Sequence, residues 1–404
     1  MPKDLSDRTL IFLERWVYYS LLAFLAALTF SNALVEILFV SSFAGWLILK
    51  IRRPVPLDLE KKMFWALAVF VFLSAVSFFW SEFPKQSFRG MLKVFKQFLI
   101  FWMVADVMAV PERQQTAFRF LTFIIVILGV DGLWQYFLGR DFIRHIPFEM
   151  ASSGRRVSAS FHNYGLLASF ILCYFPLLIS PLKVKPKGLS SSFQVAGILL
   201  GLLLLFWTRS RGAWIAFWGG LVFLSWMIRN KIFLLALVAL PLITVLLLPK
   251  RMVIHLDIEG KEQSLVERFY LWDRALQVIR ARPLTGTGIN TYAVAHQKYD
   301  RRQNWRVRNY YAHNGYLQIA AETGLPSLFC LLAFFFFYFK NAFCYLRSHP
   351  QEIRQRPLIG ILTGMVNFLI LGWVDTLFHN PQGILAFWFL AGWGIAHQRS
   401  HFKI

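Results

Sequence analysis

The sequence predicts an all-α polytopic membrane protein of about twelve transmembrane helices, with a helical external segment between spans nine and ten. Three observations point there. Of the 404 residues, 57% are hydrophobic and only 16% charged, against about 25% charged in soluble domains, and mean hydropathy is +0.51. Nearly uncharged runs long enough to cross a bilayer recur along the whole chain. The weak alternating segments of about ten residues that mark a β-barrel are absent.

The spans read in order as Leu10–Phe30, Asn32–Leu49, Met63–Trp80, Met91–Val110, Ala117–Leu138, Asn163–Pro181, Ser192–Thr208, Gly212–Ile228, Ile232–Leu248, Gly315–Leu346, Leu358–Phe378 and Pro381–His397. The polar start MPKDLSDR has no cleavage pattern, so the first apolar run is expected as a retained span. Cys173, Cys330 and Cys344 all lie in apolar runs without metal-ligand spacing and are expected as core residues. Short loops set the orientation. Lys50, Arg52, Arg53, Lys61, Lys62, Arg113, Lys183, Lys185, Lys187, Arg229, Lys231, Arg347, Arg354, Arg356, Arg399 and Lys403 fall on one side, which the positive-inside rule makes cytoplasmic, with both termini.

Orientation leaves part of the +22 net charge unexplained. The external side carries Arg140, Arg144, Arg155 and Arg156, then Arg209 and Arg211, and Pro249–Ala312 holds twelve basic residues against six acidic. Lipid headgroups are one account; a phosphate-bearing substrate suited to the guanidinium fork is the other. Composition alone favours headgroups, but the positions of two arginines favour phosphate. Arg211 in TRSRGAW closes one apolar run just before Gly212 opens the next. A snorkelling arginine is the ordinary reading there, yet the turn is too short to need charge for solubility. The second arginine lies in SLVERFYLWDRALQVIRAR. Ser264 and Glu267 form a capping box, and Leu265, Phe269, Trp272, Leu276 and Ile279 make one apolar stripe, expected along the outer interface. Arg268 falls at the border of that stripe, while Arg274 is expected to face water.

RPLTGTGINTY follows a helix and does not leave a strand, so its glycines do not make a nucleotide loop. A helix-terminating turn is expected, with free N–H groups available to an anion. Asp257 and Glu259 in a solvated loop are weak metal ligands, and no metal is expected. Histidine–asparagine pairs recur at His162–Asn163, His313–Asn314 and His379–Asn380, each at the outer end of a span, where asparagine serves as an N-cap. His313 differs in following Arg301, Arg302, Arg306 and Arg308, a cationic setting that favours the neutral base form. Asp131 and Asp375, in or near spans, are candidate functional or pairing groups.

Together these segments resemble the O-antigen ligase/polymerase superfamily of bacterial envelopes. The resemblance rests on Ser210–Gly212 (SRG), Glu267–Trp272, Arg282–Gly288, His313–Gln318 (HNGYLQ) and Glu322–Ser327 (ETGLPS), with RRVSASFHN at Arg155–Asn163. It covers roughly residues 150–395 in matching span order.

The resemblance implies a metal-independent, inverting glycosyltransferase of the bacterial inner membrane. It would transfer a glycan from undecaprenyl pyrophosphate at the periplasmic face, without cofactor or nucleic-acid partner. His313 falls on the family's essential histidine, and Arg211 and Arg268 on its paired arginines. Ser210, Asn163, Arg155, Asn314, Gly315 and His379 are expected to support them. Residues 1–248 would then hold spans one to nine, 249–312 the periplasmic helical segment, and 313–404 the last three spans and a cytoplasmic tail. A ligase acting on a lipid A–core sugar hydroxyl is favoured, because one compact external segment and twelve spans fit it. A polymerase, a protein O-oligosaccharyltransferase and, in a different class, a lipid-linked glycan flippase stay open.

Overall fold

The computed structural model describes residues 2–54, 59–151, 154–179, 191–232, 263–299, 310–349 and 357–400, with Leu234, Leu235, Leu237 and Ala239. The helices are α1 (Pro2–Ala27), α2 (Asn32–Arg52), α3 (Lys61–Val76), α4 (Pro84–Val107), α5 (Pro111–Leu138), α6 (Tyr164–Ile179), α7 (Ser191–Thr208) and α8 (Arg211–Met227). After them come α9 (Gln263–Ala281), α10 (Gly315–Thr323), α11 (Leu325–Ser348), α12 (Pro357–Leu371) and α13 (Pro381–Ser400). The chain is an all-α polytopic membrane protein. Among the described residues, five helical stretches are long and apolar enough to cross a bilayer: Arg8–Ala27, Asn32–Arg52, Lys61–Trp80, Pro111–Leu138 and Leu325–Ser348. Tyr164–Ile179, Ser192–Thr208 and Pro357–Leu371 are shorter apolar helices. The expected ninth span lies largely outside the described residues, as do Lys183, Lys185, Lys187, Arg354, Arg356 and Lys403.

Helices that are apolar all round belong at the centre, and α6, α12 and α13 are buried over nearly their whole length. Their few polar groups cross-link the bundle. Tyr174 Oη donates to Ala386 O at 2.8 Å, and Asn367 Nδ2 donates to Leu172 O at 2.9 Å. Outward apolar side chains on peripheral helices, such as Ile37, Phe72 and Phe336, have water-free lipid as their natural solvent. At the end of the bundle remote from His313, Asp106 gathers Lys50 at 2.7 Å, Trp46 Nε1 at 2.9 Å and Arg399 at 3.8 Å.

Of the three cysteines expected in the core, only Cys173 is buried, and Cys344 is exposed. Beyond this, the structure departs from the sequence expectations in three places. First, Gly315–Leu346 is not one span. Gly324 takes φ +84°, ψ 163°, and a Cβ there would stand 2.2 Å from Leu284 O. Only glycine tolerates that conformation, so the helix breaks into α10 and the spanning α11. Second, an antiparallel hairpin, β1 (Glu149–Ala151) and β2 (Gly154–Arg156), precedes α6. Third, Arg274 does not face water; it is buried. Helix α9 has two apolar faces. Val266, Phe269 and Leu276 are exposed, as an interfacial stripe would be, whereas Leu271 is buried and Ala275, Val278 and Ile279 pack inward in a cluster with Tyr292, Ala312 and Ala320. Arg274 lies within about 60° of that second face. It donates to Tyr299 O, pairs with Asp273, and lies 5.0 Å over the Tyr270 ring.

The glycine-rich turn after α9 terminates that helix and also grips the end of α10. Thr287 N and Gly288 N donate to Ala321 O and Glu322 O at 3.0 and 2.9 Å, and Leu325 N donates to Pro283 O at 2.8 Å. An anion does sit on this turn, and it is the protein's own. The Glu322 carboxylate accepts from Asn290 N at 2.7 Å, Tyr292 N at 3.1 Å and Gln318 Nε2 at 3.1 Å. Glu322 precedes the spanning helix. Burial pushes its carboxyl up to about 7, against the opposing pull of the donated N–H groups.

Two outcomes follow. Between the ordinary glutamate range and pH 7 the folded chain binds more protons at Glu322 than the unfolded chain, so its contribution falls as pH rises. The melting temperature of wild type minus that of Glu322→Gln, measured in detergent, should therefore decrease from about pH 5 to pH 8. A flat difference would mean the clasp holds the ionised form throughout. Arg274→Ala should lower stability by about 1–3 kcal/mol, because the part-buried Tyr299 carbonyl loses its donor and the pairing with Asp273 is lost. An unchanged melting temperature would return Arg274 to the surface.

Candidate functional site

Four helix N-termini gather around the connection 372–380 that joins α12 to α13. Each is capped by a short polar side chain, as the sequence positions of serine and asparagine require. Asn163 Oδ1 accepts from Leu166 N at 3.0 Å at the start of α6. Ser210 Oγ accepts from Ala213 N at 3.3 Å at the start of α8. Asn314 Oδ1 accepts from Tyr316 N at 3.1 Å and Leu317 N at 3.0 Å at the start of α10. Asn380 Oδ1 accepts from Gln382 N at 3.2 Å at the start of α13. All three histidine–asparagine pairs thus supply an N-cap.

Close backbone approach brings these starts together. Gly315 N donates to Gly372 O at 2.8 Å, and a Cβ on Gly315 would stand 2.3 Å from the Phe378 ring. A Cβ on Gly212 would stand 2.8 Å from Val374 Cγ2, so the first turn of α8, which carries Arg211, lies against the residue before Asp375. A Cβ on Gly165 would stand 3.7 Å from Asp375 Oδ2. Asp375 is therefore flanked by the starts of α6 and α8, and His313 completes the group. His313 Nδ1 lies 3.9 Å from Asp375 Oδ1, and Asp375 also accepts from Thr376 N at 2.7 Å. Nδ1 is enclosed and has no hydrogen-bond partner, while 36% of the side chain remains accessible. The backbone at His313 is left-handed, φ +47°, an uncommon state for a non-glycine residue.

Helix α9 closes the other side. Trp272 Nε1 reaches His313 O at 3.4 Å. Arg268 is one turn earlier on the same face and half-buried. The sequence-derived arginines thus sit on the two elements that border His313: Arg211, exposed, at the start of α8, and Arg268 on α9. Four partial positive helix ends add to their field. The arrangement sets cationic side chains and helix N-termini around a histidine that faces a carboxylate.

Behind His313 a cavity of about 60 Å³ is lined by Lys93, Gly315, Gln318, Glu322, Phe378 and His379 among others. Gln318 links Glu322 to His379 Nδ1 at 3.2 Å, and the His379 ring lies 4.1 Å from Tyr311. Burial, aided by Lys93, pushes His379 down to about 3, so it is neutral across the physiological range. Arg155 is differently placed. Its side chain donates to Tyr136 O at 2.7 Å and lies over the Phe148 and Tyr136 rings, and its carbonyl accepts from Arg209 Nε at 3.1 Å, contacts that secure the hairpin. Asp131 accepts from Phe142 N and anchors the turn after α5, away from this group.

Sequence reasoning named Asp375 without a role and passed over Trp272 and Glu322 as site-forming residues. An acidic residue inside an otherwise apolar run, as Glu322 is, was the available signal. Arg301, Arg302, Arg306, Arg308, Asp257 and Glu259 lie outside the described residues. Among the described residues, no group of three or more histidines, cysteines or acids is placed to hold a metal ion.

Comparison with known proteins places this geometry in context. An uncharacterized protein of Haemophilus influenzae is 24% identical over 303 residues, covering 69% of this chain and 72% of the relative. Residues 196–332 match the family model described as O-antigen ligase. That stretch holds Arg211, Arg268 and His313, with the clasp that seats α10. Residues 196–332 are thus similar to the O-antigen ligase family, and the motifs SRG, HNGYLQ and ETGLPS all lie within the matched stretch.

Proposed function

We propose that this chain transfers a glycan from undecaprenyl pyrophosphate to a sugar hydroxyl of a lipid A–core acceptor, at the periplasmic face of the inner membrane. One observation carries the reading: a histidine paired with a carboxylate stands where four capped helix N-termini and the Arg211 and Arg268 elements converge. His313 Nε2 takes the acceptor's proton. The acceptor oxygen bonds to the anomeric carbon as the bond from that carbon to the pyrophosphate oxygen breaks. The electron pair leaves with the lipid pyrophosphate, and displacement from one face inverts the anomeric centre. Arg211, Arg268 and the helix ends stabilise the charge developing on the leaving group. Asp375 stabilises the imidazolium, in the manner of a carboxylate behind a histidine base.

The test is reconstitution of purified protein with lipid-linked glycan and a choice of acceptors, reading the mass of the product. Extension of a second lipid-linked glycan alone would mark a polymerase, modification of a protein hydroxyl would mark the third branch, and translocation without transfer would overturn the enzymatic reading. His313→Ala should lower turnover about 10²–10⁴-fold in a folded protein that still binds donor. Arg211→Lys and Arg268→Lys should each impair transfer despite retained charge, because lysine lacks the planar fork. Near-normal turnover in any of the three would remove that residue from the mechanism. Excess chelator should leave transfer unchanged in a nucleotide-free assay. Loss of activity that magnesium or manganese restores would return Asp257 and Glu259 as ligands and displace the arginine mechanism.

A further inference from the structure

A second cationic site lies at the other end of the helices that carry Arg211 and follow His313. Helix α8 ends at Met227 and α11 at Ser348, and between these ends opens a pocket of about 420 Å³. Trp226, Arg229, Lys231, Leu234, Phe343 and Arg347 line it, and no acidic side chain is among its described lining residues. Arg229, Lys231 and Arg347 are exposed, so the three cations form a rim. Its geometry is fixed by a tight turn. Arg229 takes φ +54°, Arg229 N donates to Trp226 O at 3.1 Å, and Ser225 and Asn230 exchange two hydrogen bonds of 3.0 and 3.2 Å. Beneath the rim the lining turns apolar. Trp226 is 56% exposed and meets Phe343 edge to face at 5.8 Å, and Ile232 and Leu235 beside it are exposed as well.

A row of cations above an exposed aromatic wall matches one class of ligand, with a diffuse anionic head and an apolar tail. Helix α11 has 24 residues, so this rim stands roughly 36 Å from its other end, about one bilayer thickness from His313. It cannot share the site proposed for transfer. Basic pockets between helices at a membrane boundary favour anionic lipid headgroups, and arginine suits a phosphodiester. We propose that the cleft between the ends of α8 and α11 binds one anionic phospholipid, its phosphodiester held by Arg229, Lys231 and Arg347 and an acyl chain laid along Trp226 and Phe343.

The experiment is native mass spectrometry of the full chain in detergent, offered equimolar phosphatidylglycerol and phosphatidylcholine. Wild type should retain phosphatidylglycerol with a preference of roughly 10²-fold, from three cations contributing about fivefold each. Arg229→Gln/Lys231→Gln/Arg347→Gln should abolish that preference, and Arg229→Lys/Arg347→Lys should keep most of it. Should the triple variant not fold, each single glutamine variant should lower the preference about fivefold. Neutralising the same number of exposed cations elsewhere, in Arg52→Gln/Lys61→Gln/Lys62→Gln, should leave it intact. Equal retention of the two lipids by wild type, or equal losses in the two triple variants, would overturn the proposal. So would displacement of the lipid by millimolar inorganic phosphate, which would mark a site for free phosphate.

Discussion

The placement of His313 depends on how the end of a nine-residue helix is held. Helix α10 is too short to be stable by its own hydrogen bonds, and it is separated from the long α11 by Gly324. What secures it is the clasp on its last turn. Backbone N–H groups of the 287–292 segment reach Ala321 O, Glu322 O and the Glu322 carboxylate. Buried donors and acceptors of this kind are expensive to leave unmade, so the turn and the helix end stand or fall together. At the other end Asn314 caps the helix and Gly315 N bonds Gly372 O. His313 is the residue left between that cap and Trp272, in a left-handed state costing about 1–3 kcal/mol that the surroundings must sustain.

The same clasp ties the site to α9. The stretch from Arg282 to Asn290 touches α10 on one side and bonds Glu82, Gln86 and Ser77 near α3 and α4 on the other. Helix α9, with its outward stripe of Val266, Phe269 and Leu276, is thereby set at a fixed height relative to α10. A substrate that is part lipid and part pyrophosphate would meet that stripe and the capped helix ends from the same approach. Fixed dipoles and guanidinium groups need little reorganisation when charge develops, which makes such a site effective in a setting of low dielectric.

Much of this was legible in the sequence where a single element carries the signal. Apolar runs located the helices, and the asparagine after each of His162, His313 and His379 marked a helix start that the structure contains. The glycine after Arg211 admits the close approach of Val374. Features that need a partner were not legible. Arg274 was assigned to water from the Phe269–Leu276 stripe, because the second face of α9 becomes apolar surroundings only when Tyr292 and Ala312 arrive beside it. Gly324 was hidden inside an unbroken apolar run, and its left-handed break follows from Leu284 O pressing against it. The approach of Asp375 to His313 joins residues 62 positions apart and left no local trace.

The break at Gly324 also separates two kinds of motion. A spanning helix answers changes in bilayer thickness by tilting, and an unbroken helix from Gly315 to Ser348 would swing His313 with every such tilt, like the tip of a lever. With α10 latched to the turn after α9 and parted from α11 by the break at Gly324, the axis of α11 does not continue to His313. His313 is thereby registered against the turn after α9 and not against the axis of the helix that answers the bilayer.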